Sequence, residues 1–213
     1  MQALTKIPPN QDVFFILLLI SFLLFSLIRG VYWKRARLFF MGSFAQRYAN
    51  QYLREENAFT ERLNLLTFLL MVINISLIIL KTTKITDLFT IILVITCVFL
   101  FFLIKIIVIN LFGKLFKSID LAKIVVFFSL LFDKTIGFVL FPLLVVIYFF
   151  SFDILSVMLI LSLGVFIFFF FLKLFWLWKI GAKSFGLPQF YIFLYLCNLE
   201  IFPIILMSRG IFY

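Results

Sequence analysis

Long apolar runs, near the roughly 17 to 25 residues that carry a helix across a bilayer's hydrocarbon core, recur along this sequence and constrain it more than any other feature. A soluble fold has no interior large enough to hide so many of them. Of the 213 residues 66% are hydrophobic and 13% are charged, Phe occurs 34 times, and mean hydropathy is +1.27. That leaves too little charge to cover a water-facing globule. The expected fold is all-α: a polytopic transmembrane helical bundle forming a single integral membrane domain over residues 1–213.

About six spans are expected, at 13–28, 63–80, 88–109, 135–150, 154–178 and 190–207. The first has the length of a signal-peptide core. It lacks a small-residue cleavage site, and Lys34, Arg35 and Arg37 follow it, the reverse of a signal peptide's charge order, so it is read as a retained span. Residues 124–132 are also apolar, but nine residues cannot cross as helix, and Asp133-Lys134 separate them from the next run. They are expected to be interfacial or buried, with a seventh crossing as the alternative.

Six spans place both termini on one side, and the loop charges say which. One set of loops holds Arg29, Lys34, Arg35, Arg37, Arg47, Arg54, Arg62, Lys105, Lys114, Lys117, Lys123, Lys134, Lys173, Lys179 and Lys183; the other holds Lys6, Lys81, Lys84 and Arg209. The basic set belongs on the cytoplasmic side. Both termini then face the periplasm. The net charge of +10 marks a membrane surface apposed to anionic headgroups, not a nucleic-acid site.

Two amphipathic cytoplasmic segments are expected, 29–62 and 110–134. In the first, Phe40, Phe44, Tyr48 and Tyr52 recur every four residues while Arg47, Gln51, Arg54 and Glu55 lie off that stripe, the pattern of an amphipathic helix along the headgroup layer. Phe40, Phe44, Tyr48 and Tyr52, with Arg35, Arg37 and Arg47, are the candidate contact residues for lipid or a protein partner. The second segment interleaves Lys114, Lys117 and Lys123 with Leu115, Phe116, Ile119 and Leu121 in the same style.

Several chemistries lack their residues. With no His, the commonest general base and transition-metal ligand is missing. Cys97 and Cys197 each lie inside apolar runs without paired ligand spacing, and no Walker loop, GxGxxG or GxSxG occurs. No catalytic residue, metal site or cofactor is expected. The outstanding polar group is Glu200, mid-way along the last run, where a carboxylate costs roughly 2.5 to 3.5 kcal/mol unless neutral or paired. Asn198 precedes it, and Pro203 removes the donor for the Leu199 carbonyl, so the three form a candidate intramembrane polar kink. The other polar positions at depth, Asn64, Asn74, Ser76, Thr96, Ser156 and Ser162, are too sparse for a proton relay. Lys105 and Lys173 are expected to snorkel from span ends. Gly137 and Gly164 are expected at close helix contacts, and Trp176 and Trp178 in an interface belt.

The run Tyr191-Ile192-Phe193-Leu194-Tyr195-Leu196-Cys197-Asn198-Leu199-Glu200-Ile201-Phe202-Pro203 resembles the closing motif of an uncharacterised multi-pass inner-membrane family of Bacteroidota, defined only as a domain of unknown function. Lys134, Gly137, Leu140 and Pro142 are similar to that family's second motif before a span, and the likeness runs over most of the chain. The resemblance implies a Gram-negative inner membrane and no assigned reaction. It gives Glu200 and Pro203 as motif positions without a role.

These observations lead to the expectation of a non-enzymatic accessory or scaffolding subunit of a larger envelope complex, of the kind that serves protein export or envelope assembly. Its partners would be anionic lipids and other membrane-protein subunits. The alternative is a small transporter or lipid-handling membrane enzyme built on Glu200.

Overall fold

In lipid a chain must satisfy its backbone groups internally, and apolar runs of this length do so as helices. The computed structural model describes residues 11–54, 58–83, 87–115, 119–149 and 154–184, and all of its regular structure there is helical. The elements are α1 (Gln11–Val31), α2 (Trp33–Gly42), α3 (Gln46–Arg54), α4 (Ala58–Thr83), α5 (Leu88–Leu115), α6 (Ile119–Phe149) and α7 (Ile154–Ser184). Some hydroxyls inside the apolar runs bond back to their own helix, as Thr67 does to the Leu63 carbonyl at 2.8 Å and Ser76 to that of Val72 at 2.8 Å. This removes the cost of an unpaired hydroxyl in an apolar interior.

Five of these helices contain stretches long and apolar enough to cross a membrane: Asp12–Val31, Phe59–Thr83, Leu88–Leu111, Ala122–Phe149 and Ile160–Lys179. They fit a multi-pass membrane protein. The sixth expected span, 190–207, lies outside the described residues.

One boundary differs from expectation. Residues 124–132, expected as a separate interfacial or buried piece, and the run from 135 onward belong to one unbroken helix, α6, with Asp133 and Lys134 inside it. Charge in an apolar run reads as a break only when nothing meets it, and Lys134 is met by long-range partners described below. Pro142 lies within the same helix, where its ring removes the donor for the Phe138 carbonyl.

The chain clusters into two compact units: one comprises the chain up to Phe101 together with Asp133–Phe166, the other Phe102–Phe132 together with the chain from Ile167. In the first, α1 packs along α4, and aromatic rings fasten α1 to α6. Phe25 stacks on both Phe138 and Phe141, at 4.6 and 4.7 Å between centroids, and Phe14 lies 5.7 Å from Tyr148. In the second, Phe128 stacks on Trp176 at 6.5 Å and the Lys179 ammonium lies 4.9 Å from the Trp176 ring centre. Trp176, expected in an exposed belt, is instead buried beneath these neighbours, while Trp178 is exposed. Between Phe166 and Phe171, Ile167, Phe168 and Phe171 are exposed and Phe169 is buried.

Candidate functional site

Residues 33–54 fold as two helices rather than the single amphipathic one that the four-residue spacing suggests. α2 ends at Gly42, and the turn through Ser43 and Phe44 closes with the Ser43 amide donating to the Phe40 carbonyl and that of Ala45 to Met41. α3 folds back against α2. Small residues permit the approach: a Cβ on Gly42 would stand 3.2 Å from the Ala49 Cα. The inner face of this hairpin is Ala36, Phe39, Gly42, Ala49 and Tyr52, all buried.

The expected aromatic stripe is thereby divided between two sides. Phe40 is half-buried against Phe138, 4.2 Å between ring centres, and Tyr52 is 3% exposed. Phe44 and Tyr48 are exposed, at 58% and 36%. Of the arginines, Arg37 and Arg47 are exposed and Arg35 is half-buried with its guanidinium 5.2 Å from the Phe59 ring centre.

Three side chains from separate helices converge under the hairpin. Asn64 Oδ1 on α4 accepts from the Tyr52 hydroxyl on α3 at 3.2 Å and from the Lys134 ammonium on α6 at 3.2 Å. The Phe39 ring of α2 lies 5.8 Å from the same ammonium, within cation–π range. Beside this group Ser43 and Thr135 share a hydroxyl–hydroxyl hydrogen bond of 2.9 Å. Asn64 is five residues into the apolar stretch of α4, roughly 8 Å of helix rise from its start at Phe59. The cluster therefore stands near one end of that apolar stretch.

A second polar group lies deeper. The Ser21 hydroxyl of α1 donates to Asn74 Oδ1 of α4, and Asn74 Nδ2 donates to the Gly137 carbonyl of α6 at 2.7 Å. Gly137 makes the approach possible, since a Cβ there would stand 2.5 Å from the Met71 Cα. Gly164, expected at a similar contact, has nothing within 4 Å of where its Cβ would be. Further along α4 and α6, Tyr148 donates to the Leu77 carbonyl at 2.9 Å with the Lys81 ammonium 5.0 Å from its ring.

Chemically, both groups are clamps. The two lone pairs of Asn64 Oδ1 are engaged by Tyr52 and Lys134, and both ends of the Asn74 amide are engaged by Ser21 and Gly137. Among the described residues no group of three or more His, Cys, Asp or Glu is placed to hold a metal ion. Glu200, Asn198 and Pro203 lie outside the described residues. Lys105 and Lys173, expected to reach water, are buried at 7% and 2% exposure, and each has a polar or ring partner.

Over residues 14–211 the sequence matches the model of a family described as a domain of unknown function, DUF4271. The chain belongs to that family. The DUF4271 match takes in both clamps and the basic hairpin between α1 and α4. No curated protein and no solved structure matches the chain.

Sequence reasoning missed the role of Asn64 and Lys134 because their pairing joins positions 70 residues apart. Asn74 was visible as a polar residue at depth, but its partners were not. Lys134 and Gly137 each take part in one of the two clamps.

Proposed function

We propose that this DUF4271 chain is a non-catalytic accessory subunit that scaffolds a larger complex in a bacterial inner membrane. What supports this reading is that, among the described residues, Ser21, Tyr52, Asn64, Asn74 and Lys134 of the first unit bond from one helix to another, above all at the Tyr52–Asn64–Lys134 junction between the α2–α3 hairpin, α4 and α6. A polar path for substrate would keep such groups open to it. What the scaffold presents is the outer face of the hairpin.

The excess of Lys and Arg in the loops that include this hairpin supports a cytoplasmic position for it, with both termini periplasmic. The resemblance of the closing run to a Bacteroidota motif supports a Gram-negative inner membrane, and an envelope complex for export or envelope assembly is the setting such a scaffold suits. Other membrane subunits are its protein partners, and it needs no cofactor.

The test is native affinity purification in mild detergent with mass spectrometry of what comes along. Recovery of other membrane proteins at fixed stoichiometry is the expected result. Recovery of the chain by itself, stable and monodisperse, would overturn the reading.

A further inference from the structure

Between Val13 and Arg54 the sequence has no Asp or Glu, and from Arg29 onward that stretch carries six cations: Arg29, Lys34, Arg35, Arg37, Arg47 and Arg54. That stretch supplies no acid to neutralise them. Folding sorts the hairpin's side chains: Ala36, Phe39, Gly42, Ala49 and Tyr52 turn inward, while Lys34, Arg37 and Arg47 stay exposed along with Trp33, Phe44 and Tyr48. Arg29 leans over the Trp33 ring at 5.6 Å, so cation and indole stand together. The hairpin is joined to α1 and α4 at the ends where their apolar stretches stop and start, at Val31 and Phe59. Its exposed face is therefore at a membrane–water boundary, where aromatic rings sit at the headgroup level and cations meet phosphate.

From this we infer that the outer face of the α2–α3 hairpin is a binding surface for acidic phospholipid headgroups, with Lys34, Arg37 and Arg47 meeting the phosphates and Trp33, Phe44 and Tyr48 seated among the upper acyl chains. The inference rests on the hairpin being a fixed surface at the cytoplasmic face, and it names that surface's partner. Charge complementarity selects the occupant. A zwitterionic bilayer would satisfy the rings but leave three exposed cations with no net charge to attract them, whereas an anionic leaflet answers both. The hairpin is held from its inner side by the Ser43–Thr135 and Tyr52–Asn64 bonds, so the cations are offered from a preformed arrangement and need not be ordered on binding.

The experiment uses the purified full chain alone in nanodiscs, so it does not depend on any protein partner. Trp33 is kept as the only indole by Trp176→Phe and Trp178→Phe, and its fluorescence is quenched by lipid brominated in the upper acyl chain. In phosphatidylcholine discs containing an equal minor share of either brominated phosphatidylglycerol or brominated phosphatidylcholine, the anionic lipid is expected to quench several-fold more. Each cation near an anionic surface is worth about fivefold in lipid affinity, so Lys34→Gln, Arg37→Gln and Arg47→Gln should each lower the preference by up to that factor. The triple variant should abolish it.

Added salt should erode the preference of the unmutated chain in the same way. That arm stands even if the triple variant misfolds. Equal quenching by the two lipids, or a preference indifferent to salt, overturns the inference and assigns the face to a protein. Recovery of the chain by itself in the affinity purification, with lipid preference intact, would instead tell against the scaffold reading.

Discussion

Gly137 lies against the backbone of Met71 with no room between them for a methyl group: a Cβ on Gly137 would be 2.5 Å from the Met71 Cα and 2.8 Å from its Cβ. Because the obstacle includes backbone, rotating the Met71 side chain cannot relieve it. Gly137→Ala is expected to force α4 and α6 apart at a cost of about 1 to 3 kcal/mol. Thermal unfolding in detergent should show the loss, and Met71→Ala should not rescue it. Gly164→Ala is the control, expected to be neutral or stabilising by up to about 1 kcal/mol, since nothing lies near that position and Ala is the better helix former. Equal melting of the two variants would show that α4 and α6 are not in contact at Gly137.

Asn74 ties three helices, so its replacement should be felt through all of them. Asn74→Leu is expected to cost on the order of 1 to 2 kcal/mol, the scale of interhelical hydrogen bonds in membranes. Ser21→Ala should cost less, because Asn74 keeps its bond to the Gly137 carbonyl. Adding Ser21→Ala to Asn74→Leu should cost little more, as the bond between them is already gone. Strict additivity in this double-mutant cycle would show that the two side chains act independently.

How far the sequence could lead is clear from α4 and α6. The apolar run of α4 announces its helix, and the five described spans follow from run length because lipid admits few other solutions. The middle of α6 was not legible. Asp133-Lys134 looks like a loop until Asn64 and Phe39 are known to meet the ammonium, and those partners are far away in sequence. The hairpin was half legible: spacing of four identified helix, but the break at Gly42 and its packing on Ala49 depend on two small residues meeting in space. Tyr52 thus moved from candidate contact surface to buried clamp, and Phe44 with Tyr48 remained outside.

That division changes how the contact face should be probed. Phe44→Ser with Tyr48→Ser should leave the hairpin docked and remove whatever binds its outer side. Tyr52→Phe should instead loosen the hairpin, since it deletes the hydrogen bond to Asn64 while keeping the ring. Limited proteolysis within residues 43–57 is the measurement: faster cleavage is expected for Tyr52→Phe and unchanged cleavage for the outer pair. The reverse order would mean that the hairpin is held from its other side.

Orientation can be read directly by thiol labelling. With Cys97 and Cys197 replaced by Ala, a cysteine in place of Tyr48 should resist an impermeant reagent added to intact spheroplasts, and one in place of Asp153 should react. The opposite pattern would invert the proposed topology and move the basic hairpin outside.

Glu200 separates the scaffold from the transporter or lipid-handling alternative. A neutral carboxyl group used for helix or subunit pairing keeps its shape and a donor in Glu200→Gln, so complex recovery and growth should be preserved. Glu200→Leu should weaken assembly by on the order of 1 kcal/mol. A glutamate that carries protons cannot be replaced by Gln, and loss of growth with the complex intact would favour the alternative.

The bond between Ser43 and Thr135 spans 92 residues and has a consequence in time. At synthesis rates of about 5 to 20 residues per second, the hairpin leaves the ribosome roughly 5 to 20 seconds before the helix that receives it. Lys134 arrives in the same late stretch. For that interval the newborn chain holds α2 and α3 without their docking bonds on α6, with Phe39 lacking the ammonium that later lies over it. The biogenesis machinery that inserts α1 must therefore shelter or tolerate a half-made junction until α6 follows, and a pulse-labelled nascent chain should be cut by protease in residues 43–57 far more readily than the finished protein.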